Sequence, residues 1–101
     1  MRPPEDAVSR AGEVVHLANF RFTSASAADR ARGLMFFGEA TYGRLWISFV
    51  VRVNRFGRPL VTYPAKDDRY GRRRPILRPV DEVAERELEE EILAALARAC
   101  P

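Results

Sequence analysis

The sequence predicts an α+β fold: an antiparallel β-meander of about four to five strands followed by one C-terminal α-helix. Three observations lead there. Apolar and polar side chains alternate at a period of two early in the chain, turn-forming residues separate runs rich in β-branched and aromatic residues, and beyond Pro79 the apolar period lengthens to that of a helix. A chain of 101 residues that is 47% hydrophobic supports one small domain with one core.

Residues 1–12, MRPPEDAVSRAG, lack hydrophobic periodicity and read as a disordered lead-in, so the domain is expected over 13–99. In 13–22, Val14, His16, Ala18, Phe20 and Phe22 alternate with Val15, Leu17, Asn19 and Arg21, the pattern of a strand with one more apolar face. The small, polar run 23–32 reads as a connecting loop. A second strand follows at 34–42, and Gly43 allows a tight reversal into a third at 44–53, so the two form a hairpin. Asn54 to Arg58, with Gly57, makes the next turn. A fourth strand at 59–63 is ended by Pro64, which has no N–H for a sheet ladder. Residues 64–78 then form a basic loop.

The helix is expected over 81–99. Val80, Ala84, Leu88, Ile92 and Leu96 recur every four residues, with Val83, Ala95 and Ala99 beside them, which defines one apolar stripe. Asp81 suits the N-cap, and Glu82 and Glu85 complement the positive end of the helix dipole. The remaining glutamates read as a solvated face. No internal repeat stands out. One helix covers only part of one sheet face, which leaves Phe36, Trp46 and Phe49 short of internal partners that a second subunit would supply. Trp46, mid-strand, otherwise reads as core.

Charge is segregated. The net charge is +3, but residues 66–78 carry six basic and two acidic side chains, whereas 81–91 carry one basic and seven acidic. Arg72, Arg73, Arg74 and Arg78, with Lys66 and Arg69 just ahead, concentrate the side chains best suited to phosphate. Arg52, Arg55 and Arg58 could contribute a second tier. Two blander readings stay open for the cluster: a solvated loop, or pairing of Arg72–Arg74 and Arg78 with glutamates of the following helix. Tyr63 and Tyr70 flank the loop and Phe56 sits at a turn tip, where a ring could stack on an unpaired base. For Tyr63 the simpler expectation is packing in the core.

Little supports an enzyme. His16 is the single histidine, on the apolar face of the first strand, with no second imidazole to complete a site. Ser48 lacks an evident base, and no Gly-rich phosphate loop follows a strand. Cys100, the single cysteine, excludes an intramolecular disulfide framework and a Cys-based zinc site, and it fits a reducing cytoplasm. No cofactor is implied. The start of the chain carries no apolar stretch of the kind a signal peptide needs, and no segment is long enough to span a bilayer, so a soluble cytoplasmic protein is expected.

Pro64, Ala65 and Lys66, then Gly71, then Arg78, Pro79 and Val80, together with Val51, Arg52 and Val53 upstream, resemble the SpoVG family of bacterial septation and gene-expression regulators. The resemblance spans roughly residues 13 to 97 and is strongest from 51 to 80. It implies a homodimer formed through the sheet and binding to DNA or RNA by basic residues near the junction of the final hairpin and the helix. By position, those are Lys66, Arg72, Arg73, Arg74 and Arg78. Two departures stand out: Arg78 replaces the family's histidine, and the helix is far more acidic than a DNA-facing element. The expected function is therefore a nucleic-acid-binding regulator without catalysis, contacting its ligand through the loop and the sheet edge. The competing reading is a protein-interaction module that uses the acidic helix and a sheet edge, with the arginines holding that helix in place.

Overall fold

The computed structural model describes residues 16–99. The lead-in at 1–12, the strand start expected at 13–15 and Cys100 lie outside these residues. The elements are β1 (Leu17–Ser24), α1 (Ala27–Ala31), β2 (Leu34–Tyr42), β3 (Leu45–Val53), β4 (Pro59–Thr62), β5 (Ala65–Asp67), β6 (Arg73–Pro75) and α2 (Glu82–Ala99). Strands β1 to β4 pair antiparallel in chain order, and β5 and β6 form a separate ribbon. This is the expected meander and helix. Within the described residues, two stretches read as loops carry structure: 23–32 holds the end of β1 and α1, and 64–78 holds the β5–β6 hairpin.

Register explains the core. Gly38 lies opposite Phe49, Ala40 opposite Ile47, Phe36 opposite Val51, and Val51 opposite Val61, so these residues share one sheet face. Leu17, Ala40, Phe49, Val51 and Val61 meet Ile92 of α2 there. Phe49 was expected to lack a partner; it is instead 2% exposed, because its ring lies over the bare backbone of Gly38. A Cβ on Gly38 would stand 2.2 Å from the Phe49 ring. Phe22 packs edge-on against both Phe36 and Phe49, which gives Phe36 an internal partner as well.

A bulge corrects the simple alternation read into β1. Ala18 pairs with Thr41 but Arg21 pairs with Glu39, so β1 carries one extra residue, and Asn19 adopts a φ of 53° to accommodate it. The extra residue reverses the parity. Leu17 before the bulge and Phe20 and Phe22 after it therefore pack on the same core. His16, expected on an apolar strand face, precedes β1 and is exposed, with Nδ1 3.7 Å from a Glu91 carboxylate oxygen.

Helix α2 begins as expected, since an Asp81 carboxylate oxygen accepts from the Ala84 N–H at 2.8 Å. Its stripe of Leu88, Ile92, Ala95 and Leu96 packs on the core face. Val80 and Val83, assigned to the same stripe, are exposed. Two glutamates do more than face solvent: Glu91 accepts from the Leu17 N–H at 2.8 Å and Glu89 from the Val61 N–H at 3.2 Å. Leu17 and Val61 lie on β1 and β4, the two edges of the sheet, so the helix caps an outward N–H on each. The opposite face has no covering element among the described residues. Trp46, read as core, lies there half exposed, with the Arg21 guanidinium 4.5 Å from its ring centroid.

Candidate nucleic-acid interface

The basic segment is an ordered hairpin. Ala65 pairs with Pro75, Lys66 with Arg74 and Asp67 with Arg73. One carboxylate organises its tip. Asp68 Oδ1 accepts from the N–H groups of Tyr70 at 2.8 Å and Arg72 at 2.9 Å, while Oδ2 accepts from Arg74 Nε at 2.9 Å and lies 3.5 Å from Arg72 Nε. Asp67 receives Arg73 at 3.4 Å. The Arg72 N–H holds the Asp68 carboxyl below the usual aspartate value against the opposing effect of desolvation, and the Arg74 guanidinium and the Tyr70 N–H add to the lowering.

These contacts overturn one expectation. Arg72, Arg73 and Arg74 pair with Asp67 and Asp68 of their own hairpin, and no Arg–Glu bridge to α2 occurs among the described residues. The reason is distance along the ribbon: a tight turn brings Asp68 beside its own arginines before the chain reaches the helix. The side chains of Arg72, Arg73 and Arg74 remain more than half exposed. Each aspartate therefore positions cations without covering them.

The structure gathers Lys66, Arg69, Arg72, Arg73 and Arg74 on this hairpin. Arg78 lies beyond it, on the strap that leads to α2, where it lines an apolar cleft of about 260 Å³ with Tyr42, Ile47, Tyr63 and Leu88. Arg55 and Arg58 sit on the β3–β4 turn, at the other end of the continuous β4–β5 stretch, and Arg52 lies within β3, half-buried. The expected cluster is thus divided between two turns and a strap.

Of the aromatics, Tyr70 and Phe56 are 68% and 79% exposed, as expected. Tyr63 is half-buried against the core, and its hydroxyl is buried with no protein hydrogen-bond partner. Burial, reinforced by Glu85 and Glu89, pushes that phenol up to about 12.

A local repeat, absent from the sequence reading, becomes evident when the two turns are compared. Asn54-Arg55-Phe56-Gly57-Arg58 and Asp68-Arg69-Tyr70-Gly71-Arg72 are built alike. Asn54 Oδ1 accepts from the Phe56 and Arg58 N–H groups at 2.9 and 3.0 Å, matching the two bonds to Asp68. Gly57 and Gly71 have φ of 79° and 78°, which favours glycine at the fourth position. In each turn the second-position arginine stands 5.1 Å from the ring beside it. Arg72 also approaches Tyr70, at 5.5 Å. The signal was in the sequence as two copies of an Asx-Arg-aromatic-Gly-Arg pentapeptide; five residues are too short to register as a repeat without the geometry.

Among the described residues, no group of three His, Cys, Asp or Glu side chains could hold a metal ion, and no helix is long and apolar enough to cross a membrane. Comparison of the chain with family models, with curated proteins and with solved structures finds no match in any of the three.

Proposed function

We propose that this chain is a small cytoplasmic regulatory protein that binds DNA or RNA through the β5–β6 hairpin and acts by binding without catalysis, as the resemblance to the SpoVG regulators suggests. One observation carries the reading: five cationic side chains share a short ribbon, and the three of them that contact Asp67 or Asp68 stay more than half exposed as side chains. Phosphate recognition uses such planar donors, and ordering them beforehand lowers the entropy lost on binding. Contacts of this kind position a polyanion without reading its bases, so binding is broad and weakens with salt.

The competing reading, a protein-interaction module that uses the acidic helix and a sheet edge, keeps those surfaces but not the bracing by arginines, since Arg72, Arg73 and Arg74 pair within the hairpin. The test is a fluorescence-anisotropy titration of single-stranded RNA, single-stranded DNA and duplex DNA at several salt concentrations. The Arg72→Ala, Arg73→Ala, Arg74→Ala triple variant should weaken binding across sequences and reduce the log–log salt slope by about 3, one per lost phosphate contact. A lowered melting temperature with unchanged nucleic-acid binding would count against the proposal.

The same reading includes a homodimer. Tyr42 and Val80 are exposed and both line the apolar cleft, and the exposed Leu45 lies opposite Tyr42 in the β2–β3 register. Exposed apolar groups this close together favour a protein contact, and a second copy of the chain is the occupant we propose.

A further inference from the structure

The geometry points to two equivalent stations for single-stranded nucleic acid, one at each of the matched turns; this rests on the nucleic-acid reading above and names its ligand class. The argument separates what each turn needs from what it repeats. An Asx residue at the first position supplies the side-chain acceptor for two N–H groups, and glycine at the fourth supplies the positive φ. Nothing in that geometry calls for arginine at the second and fifth positions or an aromatic ring at the third. Those three positions repeat nevertheless: Arg55, Phe56 and Arg58 in one turn, Arg69, Tyr70 and Arg72 in the other. The repeated parts are those turned outward, since Phe56 and Tyr70 rank among the most exposed large apolar side chains of the described residues.

An exposed ring with a guanidinium about 5 Å over its centroid offers two free surfaces, the far face of the ring and the outer side of the cation. An unpaired base stacks on either surface, and the arginine donors reach the adjoining phosphate. Bases within a duplex already stack on one another and present no free face to such a tip. The chemistry therefore selects single strands over duplexes and tolerates any sequence.

The β4–β5 stretch joins the two stations. From Arg58 to Asp68 the backbone spans at most about 33 Å even when fully extended, a length covered by about ten stacked nucleotides. A strand of 12 nucleotides or more can engage both stations at once, whereas a tetranucleotide engages one. Binding should accordingly strengthen with length beyond the gain from added phosphates, because the second contact becomes intramolecular.

The test uses labelled oligo-dT of 4, 12 and 16 nucleotides and a 16-base-pair duplex, titrated into the wild-type chain and into Phe56→Ala, Tyr70→Ala and the double variant. Both rings are exposed, so the substitutions leave the core intact, and melting curves check this. Each single variant should lose roughly 5- to 100-fold in affinity for the 16-mer but at most about twofold for the 4-mer, and wild type should prefer the 16-mer to the duplex. A Phe56→Ala variant that binds the 16-mer like wild type, while Tyr70→Ala and the arginine triple variant bind it poorly, overturns the second station and leaves the hairpin reading standing. Equal affinity for duplex and single strand with no effect of either ring overturns the stacking proposal alone. Failure of the wild-type chain to bind any of these ligands at low salt overturns both.

Discussion

At the scale of single residues, Asp68 and Asn54 perform the same task with different charge. Both accept two backbone N–H groups across their turn, but only the carboxylate also receives arginine side chains. Asp68→Asn should therefore keep the turn, as Asn54 does, while releasing Arg72 and Arg74; backbone amide shifts that stay near native at 70 and 72 would bear this out. The pH dependence has a definite sign. Because folding lowers the Asp68 carboxyl below its usual value of 3.8, its contribution is fully present above that value and is lost as the pH falls through the lower folded value. Carboxyl NMR titration should place Asp68 below 3.8, with the hairpin amides unchanged from neutral pH down to about 4; titration at or above 3.8 would contradict the clamp. Arg72 to Arg74 were visible in the sequence as candidate cations because composition alone marks them. Asp68 was not, since an aspartate before a glycine-containing turn becomes an organising group only when the turn closes.

At the scale of elements, β2, β3, β4 and α2 were legible because their apolar periods and turn residues agree with the register that packing selects. Trp46 and the β1 bulge were not. Periodicity cannot tell which face of a two-sided strand the helix will cover, and one extra residue at Asn19 reverses the parity of everything before it. Gly38 shows how tightly β2 and β3 are matched. Gly38→Ala places a methyl 2.2 Å from the Phe49 ring, so it should destabilise the fold by about 1–3 kcal/mol in urea denaturation; an unchanged midpoint would mean that Phe49 repacks without cost. The glutamates of α2 are a second joint. Glu89→Ala and Glu91→Ala each remove one half-buried charged acceptor from a strand-edge N–H, and each should cost about 1 kcal/mol, whereas the exposed Glu90→Ala should be near neutral. Equal effects at all three positions would reduce the capping to simple helix surface chemistry.

At the scale of the whole molecule, the sheet has one covered face, and apolar residues remain exposed around the cleft at the Gly43 end. If a second copy covers that end, Leu45→Glu combined with Val80→Glu should convert a concentration-dependent dimer into an 11.5 kDa monomer in sedimentation without lowering the monomer's secondary-structure content; a wild-type chain that sediments as a monomer at micromolar concentration would remove the dimer. The charge segregation seen in the sequence persists in three dimensions as a cationic hairpin and an acidic helix that do not neutralise each other through direct pairs among the described residues. The edge capping by α2 also has a temporal side. Leu17 and its acceptor Glu91 are 74 positions apart, so at ordinary translation rates of about 5–20 residues per second Leu17 is made roughly 4 to 15 seconds before the acceptor of its N–H. Until residue 89 has been made, neither the Leu17 nor the Val61 N–H has its acceptor, and a chain terminated before codon 89 would leave both of these edge donors open to pairing with neighbouring chains.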